Sequence, residues 1–162
     1  HITRVGIGYD VHRLVKARPL ILATVRIESS QGLLGHSDGD VVLHAVADAL
    51  LGAAGLPDLG EHFPDTDPAY ADADSAELLS RVVEEVARLG YRPVNIDVVI
   101  HAEKPRLSPY KQQMRQAIAR LLRIDPASVA IKAKTAEGLG PIGMNEAIAC
   151  TAVAGLSRQS DD

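Results

Sequence analysis

Two short stretches hold residue types able to grip a cation. Gly8-Tyr9-Asp10-Val11-His12 sets a carboxylate and an imidazole two residues apart, in a run that otherwise reads as β-strand. Side chains alternate along a strand, so Asp10 and His12 project from one face and Val11 from the other. That makes a two-ligand bite for a metal, and equally an ordinary hydrogen-bonded pair at a solvated strand end. A third candidate, His44, lies in the apolar run Val42-Leu43-His44-Ala45-Val46. A lone helical histidine among apolar residues is ordinarily a satisfied core residue. Asp48 follows four positions later on the same helical face, where a carboxylate would hold the second ring nitrogen of a metal-bound imidazole. Asp10, His12 and His44 together offer two nitrogens and one oxygen. Three protein ligands with a fourth position open is the pattern of a reactive zinc site.

The elements that must position these residues follow from periodicity and turn chemistry. Residues 2–15 and 19–28 read as strands separated by the turn Val15-Lys16-Ala17-Arg18-Pro19. Residues 30–39 read as a loop, and Ser37-Asp38-Gly39-Asp40 predicts a helix from near Asp38 to Ala54, ended by Gly52, Gly55 and Pro57. A long loop is predicted over 56–73, then a helix over 76–89 opened by the cap Asp74-Ser75. Strands over 94–102, 127–135 and 146–157, and a helix over 109–123, complete the chain. The expected fold class is α+β: a two-layer sandwich of a mixed sheet with helices on one face. Residues 2–158 form a single domain, and 159–162 a frayed tail.

Composition narrows the function classes. A net charge of −4 over 162 residues argues against a nucleic-acid partner, which needs a basic face. Cys150 is the single cysteine, so an internal disulfide and a multi-cysteine metal cluster are excluded. No apolar run reaches the roughly 20 residues that span a bilayer, so no membrane partner is expected. The expected compartment is the cytoplasm, or a plastid had a transit peptide been removed. Gly6-Ile7-Gly8 lacks the third glycine of a dinucleotide fingerprint.

Several motifs together resemble one enzyme family. Asp10-Val11-His12, His36-Ser37-Asp38-Gly39-Asp40 leading to His44, Asp58-Leu59-Gly60 and Phe63-Pro64-Asp65-Thr66-Asp67 resemble those of the 2-C-methyl-D-erythritol 2,4-cyclodiphosphate synthase family, of the non-mevalonate isoprenoid pathway. Ala102-Glu103-Lys104-Pro105-Arg106-Leu107 and Lys132-Ala133-Lys134-Thr135-Ala136-Glu137 continue the likeness, which runs from about Arg4 to Leu156. It implies a homotrimer with active sites between subunits. The implied substrate is a methylerythritol bearing a 2-phosphate and a cytidine diphosphate, and the 2-phosphate attacks the β-phosphorus to release CMP. By that likeness Asp10, His12 and His44 hold one Zn²⁺ per subunit, and Glu137 helps hold Mg²⁺ or Mn²⁺ across the substrate phosphates. His36 and Thr135 would stabilise the transition state, and Ser37 would meet a phosphate. Asp58, Leu59, Gly60, Phe63, Pro64, Asp65, Thr66 and Asp67 would contact the methylerythritol. Ala102, Glu103, Lys104, Pro105, Arg106, Leu107 and Ser108, with Lys132, Ala133 and Lys134, would line the cytidine and phosphate pocket.

The chain departs from the family pattern at a few places. Pro141 stands where an aromatic is frequent, Met144 where an arginine is, Thr151 where some members carry glutamate, and Lys134 where threonine is common. In members with that arginine the resemblance implies a cavity on the trimer axis that binds isoprenoid diphosphates; Met144 cannot pair with a diphosphate, so that cavity is not expected to work here. The same cluster of ligands would also suit a zinc-dependent phosphoester hydrolase, and the fold would suit a non-catalytic metabolite-binding module.

Overall fold

The computed structural model describes residues 1–35, 37–64, 66–70 and 74–159. The chain runs β1 (Arg4–Lys16), β2 (Leu20–Leu22), β3 (Val25–Ile27), β4 (Gln31–Leu33), α1 (Val41–Ala53), α2 (Leu59–His62), α3 (Ser75–Arg88), β5 (Tyr91–His101), α4 (Lys111–Leu122), β6 (Val129–Lys134), α5 (Gly140–Gly143) and β7 (Ala147–Arg158). The main sheet has the order β4-β1-β7-β5-β6. Its β5–β6 pair is parallel and the other pairs are antiparallel, so the sheet is mixed as expected.

One face of this sheet is covered by α1, α3 and α4. Leu78, Leu79, Val82 and Val86 of α3 recur at helical spacing and are buried. Helix α1 is buried nearly all round, because it lies between the sheet and α3. Leu50, Leu51, Ile96, Ile100, Met114, Ile118 and Ile148 are fully enclosed between the layers. Each such side chain contributes about 1.5–3 kcal/mol through removal from water.

Four expectations are corrected. Residues 19–28 form a hairpin of two short strands rather than one strand, because Ala23 and Thr24 take positive φ (51° and 65°). Neither is glycine; the turn is held instead by the buried Asp40 carboxylate, which accepts Ala23 N–H at 2.9 Å and Thr24 N–H at 2.8 Å. Asp40 also accepts Leu43 N–H at 3.1 Å and is therefore the cap of α1, which starts later than the Ser37-Asp38 pattern predicts. Residues 31–33, read as loop, pair with the end of β1 as an edge strand, and the long loop contains the one-turn helix α2 capped by Asp58.

Candidate metal centre

Strand β1 and helix α1 meet backbone to backbone. A Cβ at Gly6 would lie 2.1 Å from the Ala49 carbonyl oxygen, and one at Gly8 2.0 Å from that of Ala45. Glycine is required at both, and this close approach accounts for the Gly6-Ile7-Gly8 pattern. Gly6, Gly8, Asp10 and His12 share one strand face. The next positions along the seam, Asp10 and His12, therefore meet the residue before Ala45, which is His44.

The three side chains converge. Asp10 Oδ2 is 2.9 Å from His12 Nε2 and 3.1 Å from His44 Nδ1, and the two imidazole nitrogens are 3.3 Å apart. Ligands about 2.0–2.1 Å from a tetrahedral zinc stand about 3.3 Å from one another, so this triangle is the size of one face of such a site. The donor set, one carboxylate oxygen and two imidazole nitrogens, also suits zinc. All three side chains are half-buried, leaving one side open to a ligand.

The charges support one another. Burial opposes ionisation of Asp10, but hydrogen bonds and charge from His12 and His44 outweigh it and hold the carboxyl well below the usual carboxylate range. Burial likewise opposes a charged His44, and the Asp10 hydrogen bond and charge outweigh that too, raising His44 above an ordinary histidine.

The second nitrogen of His44 does not meet Asp48, contrary to expectation. Asp48 Oδ1 accepts Leu59 N–H at 2.7 Å, which fastens the start of α2 to α1. His44 Nε2 lies 2.8 Å from Ser75 Oγ and 3.3 Å from Ser37 Oγ. In the sequence Ser75 reads only as half of a helix cap, and its place behind His44 is not visible there. The available signal was redundancy: Asp74 already caps α3 by accepting Ala76 N–H at 2.9 Å, so a second capping residue beside it needs another purpose.

Around the centre, Arg18 donates to the Ser37 carbonyl at 3.0 Å and to that of Gly35 at 3.4 Å, fixing the loop that carries Ser37. His36 and Asp65 lie outside the described residues. Asp58, Leu59 and Gly60 form the first turn of α2, where the Asp58 side chain accepts Glu61 N–H at 3.0 Å. Phe63 packs against the core edge and Asp67 Oδ1 accepts Ala69 N–H at 2.9 Å. Pro64 and Thr66 stand between them in the same connection.

Across the sheet lies a cavity of about 290 Å³, lined by residues 102–108 together with Ala133, Lys134, Thr135 and Lys111. The sequence motifs assigned to the nucleotide account for this lining except Thr135, assigned to the transition state, and Lys111, the first residue of α4. Glu103 Oε1 accepts Ala136 N–H at 2.9 Å and so buckles the 102–108 loop to the loop after β6. Lys132 is not part of the wall: its ammonium pairs with Asp97 at 2.9 Å on the strand beside it. Glu137 is exposed on that loop with φ of 54°, and its N–H donates to Thr135 Oγ1 at 3.3 Å. In register, Asp10 pairs with Cys150, Cys150 with Ile100, and Ile100 with Ala133. The triad and the cavity are thus three strand spacings apart, about 14 Å.

Comparison with known proteins gives a consistent picture. The family model described as the YgbB family matches residues 3–157. A Bordetella petrii protein named 2-C-methyl-D-erythritol 2,4-cyclodiphosphate synthase is 59% identical over 157 residues, covering 97% of both chains. A protein of the same name from Symbiobacterium thermophilum is 57% identical, covering 93% of this chain and 96% of its own. Among solved structures, the bifunctional IspDF from Campylobacter jejuni superposes with a TM-score of 0.92 at 43% identity, covering 96% of this chain and 42% of that longer one. A CDP-bound 2C-methyl-D-erythritol-2,4-cyclodiphosphate synthase superposes at 0.89 with 36% identity, covering 95% of this chain and all (100%) of the other.

Proposed function

Because the chain belongs to the YgbB family, whose matched members are named for the cyclodiphosphate they make, we propose that it converts 4-diphosphocytidyl-2-C-methyl-D-erythritol 2-phosphate into 2-C-methyl-D-erythritol 2,4-cyclodiphosphate and CMP. The 2-phosphate oxygen forms a bond to the β-phosphorus, and the bond from that phosphorus to the CMP oxygen breaks. The observation that carries this reading is the convergence of Asp10, His12 and His44 within 3.3 Å of one another, on a chain that also holds a cation-rimmed cavity.

Asp10, His12 and His44 would hold Zn²⁺, which when bound supplies positive charge against a diphosphate oxygen. Glu137 is exposed and offers a carboxylate, the kind of ligand that Mg²⁺ or Mn²⁺ shares with substrate phosphates. Lys104, Arg106 and Lys134 rim the cavity and offset the charge of the cytidine phosphates, while the backbone of residues 102–108 reads the base. The attacking phosphate is already ionised at neutral pH, so the chain needs no general base. What its residues must do is align two like-charged groups and cancel their repulsion. Ser37, beside the triad, is the hydroxyl assigned to a phosphate; Thr135, on the cavity wall, and His36 are assigned to the transition state.

The same reading includes a homotrimer whose sites lie between subunits, working in the cytoplasm. It is supported by the uncovered sheet face, where Val5, Ile7, Tyr9 and Val11 of β1 stand 45–70% exposed. It is supported too by the distance between triad and cavity, which a neighbouring copy would close by setting its own triad beside this cavity. Among the described residues no helix is long and apolar enough to cross a membrane.

The deciding experiment supplies the purified protein with the cytidyl substrate, zinc and Mg²⁺. CMP together with the cyclic diphosphate is expected, and both should be lost in His44→Ala. CMP together with an open-chain phosphate ester would make the protein a hydrolase and overturn the reading.

A further inference from the structure

The imidazole of His44 can present Nδ1 to a metal only if the proton of the neutral ring sits on Nε2. What fixes that proton is visible in the hydrogen bonds behind it. Asp38 Oδ1 accepts Asp40 N–H at 3.1 Å and Oδ2 accepts Ser75 N–H at 3.2 Å, so both oxygens of this carboxylate act as acceptors. Ser75 Oγ also bonds Asp38 Oδ1 closely, and against an acceptor its hydroxyl must donate. With its one proton spent on Asp38, Ser75 Oγ can only accept from His44 Nε2, 2.8 Å away. The direction of the whole chain is thereby set: Nε2–H to Ser75 Oγ, Ser75 O–H to Asp38. In the neutral ring that a metal requires, Nδ1 is then left with its lone pair on the side of Asp10 and His12.

Burial makes this arrangement rigid. Ser75 is 1% exposed, so water has little access to compete for either bond. It is the first residue of α3, and Asp38 precedes α1, so the chain of bonds also ties the two helix starts together behind the imidazole. Ser37 Oγ, 3.3 Å from both Ser75 Oγ and His44 Nε2, is left free to turn its proton outward.

From this geometry we infer that Ser75, oriented by Asp38, is the positioning residue that fixes the tautomer and direction of the metal ligand His44. The inference rests on reading Asp10, His12 and His44 as the metal centre. Losing a partner of this kind ordinarily weakens metal binding about 10–100-fold.

The test uses the intact 162-residue chain stripped of metal, with zinc titrated against a chromogenic chelator. Ser75→Ala should bind zinc about 10–100-fold more weakly than the parent, while the melting temperature of its zinc-free form stays close to the parent's. Affinity within twofold of the parent would overturn the inference and leave the metal centre standing; a parent protein that binds no zinc would overturn both. A second measurement does not depend on any variant folding. In the zinc-loaded parent, nitrogen-correlated NMR should show a His44 Nε2–H proton protected from exchange with water. An Nε2–H that exchanges as fast as that of an exposed imidazole would show that Ser75 does not hold it.

Discussion

At the scale of single residues, the site is a problem in where protons sit. Zinc needs neutral imidazoles, yet Asp10 holds His44 protonated to a higher pH than an ordinary histidine. Zinc binding should therefore release a proton over a pH range that extends above an ordinary histidine's, and weaken as pH falls. Calorimetry in buffers of different ionisation enthalpy measures that release directly; a binding enthalpy independent of buffer would contradict it. The zinc-free protein should behave in the opposite sense. With Asp10 lowered and His44 raised, their mutual stabilisation is complete between about pH 4 and 6.5, is lost below that as Asp10 takes up its proton, and is lost above it as His44 gives its proton up. Raising pH from 6 to 8 should thus lower the melting temperature of the zinc-free protein and increase the rise that zinc produces. Asp48 shows where residue-level reading stopped short. Helical spacing correctly set it near His44, but spacing says nothing about which donor a carboxylate will choose, and it chose Leu59 N–H. Asp48→Asn should accordingly change zinc affinity less than threefold on the chelator titration, while Ser75→Ala changes it much more.

At the scale of elements, the long periodic segments were legible and the short ones were not. Helices α1, α3 and α4 and strands β1, β5, β6 and β7 all exist close to their expected spans, because each repeats its burial pattern over several turns or residues. Strand β4 and helix α2 are too short to show a period; they exist because a neighbour holds them, β1 in one case and the Asp48–Leu59 hydrogen bond in the other. The positive-φ hairpin at Ala23 and Thr24 could not be read locally either, since its cause, Asp40, lies 16 residues downstream of Thr24. Gly8 of β1 and Gly52 of α1 separate tertiary from local effects cleanly. Gly8→Ala drives a methyl into the Ala45 carbonyl, a backbone atom that cannot step aside, and should cost about 3 kcal/mol. It should also weaken zinc binding, because α1 carries His44. Gly52→Ala, in the same helix, meets nothing nearer than 3.7 Å and should stabilise by up to about 1 kcal/mol. Thermal melts of the two variants should move in opposite directions, and equal shifts would mean that helix propensity rather than the seam governs both.

At the scale of the whole molecule, the sheet divides the chain into a finished side and an unfinished one. The helical layer closes one face over an aliphatic core, whereas the opposite face presents Val5, Ile7, Tyr9 and Val11 on β1 and Val153 on the neighbouring β7, at 38–70% exposure. Ile7 and Val153 are direct partners in register, so the patch is continuous across two strands rather than scattered. A monomer seldom leaves such a patch in water, and a second and third copy related by rotation would bury it without creating an open-ended chain of contacts. Ile7→Asp tests this with little risk to the fold, because the side chain is 70% exposed and touches none of the metal ligands' face. Light scattering after gel filtration should report a trimer for the parent and a monomer for the variant. The triad lies within one chain, so the monomer should still bind zinc; the cavity and the triad lie about 14 Å apart in that chain, so turnover should fall by orders of magnitude. A monomeric variant with full activity would mean that one chain builds the entire site, and the intersubunit arrangement would have to be abandoned while the metal centre remained.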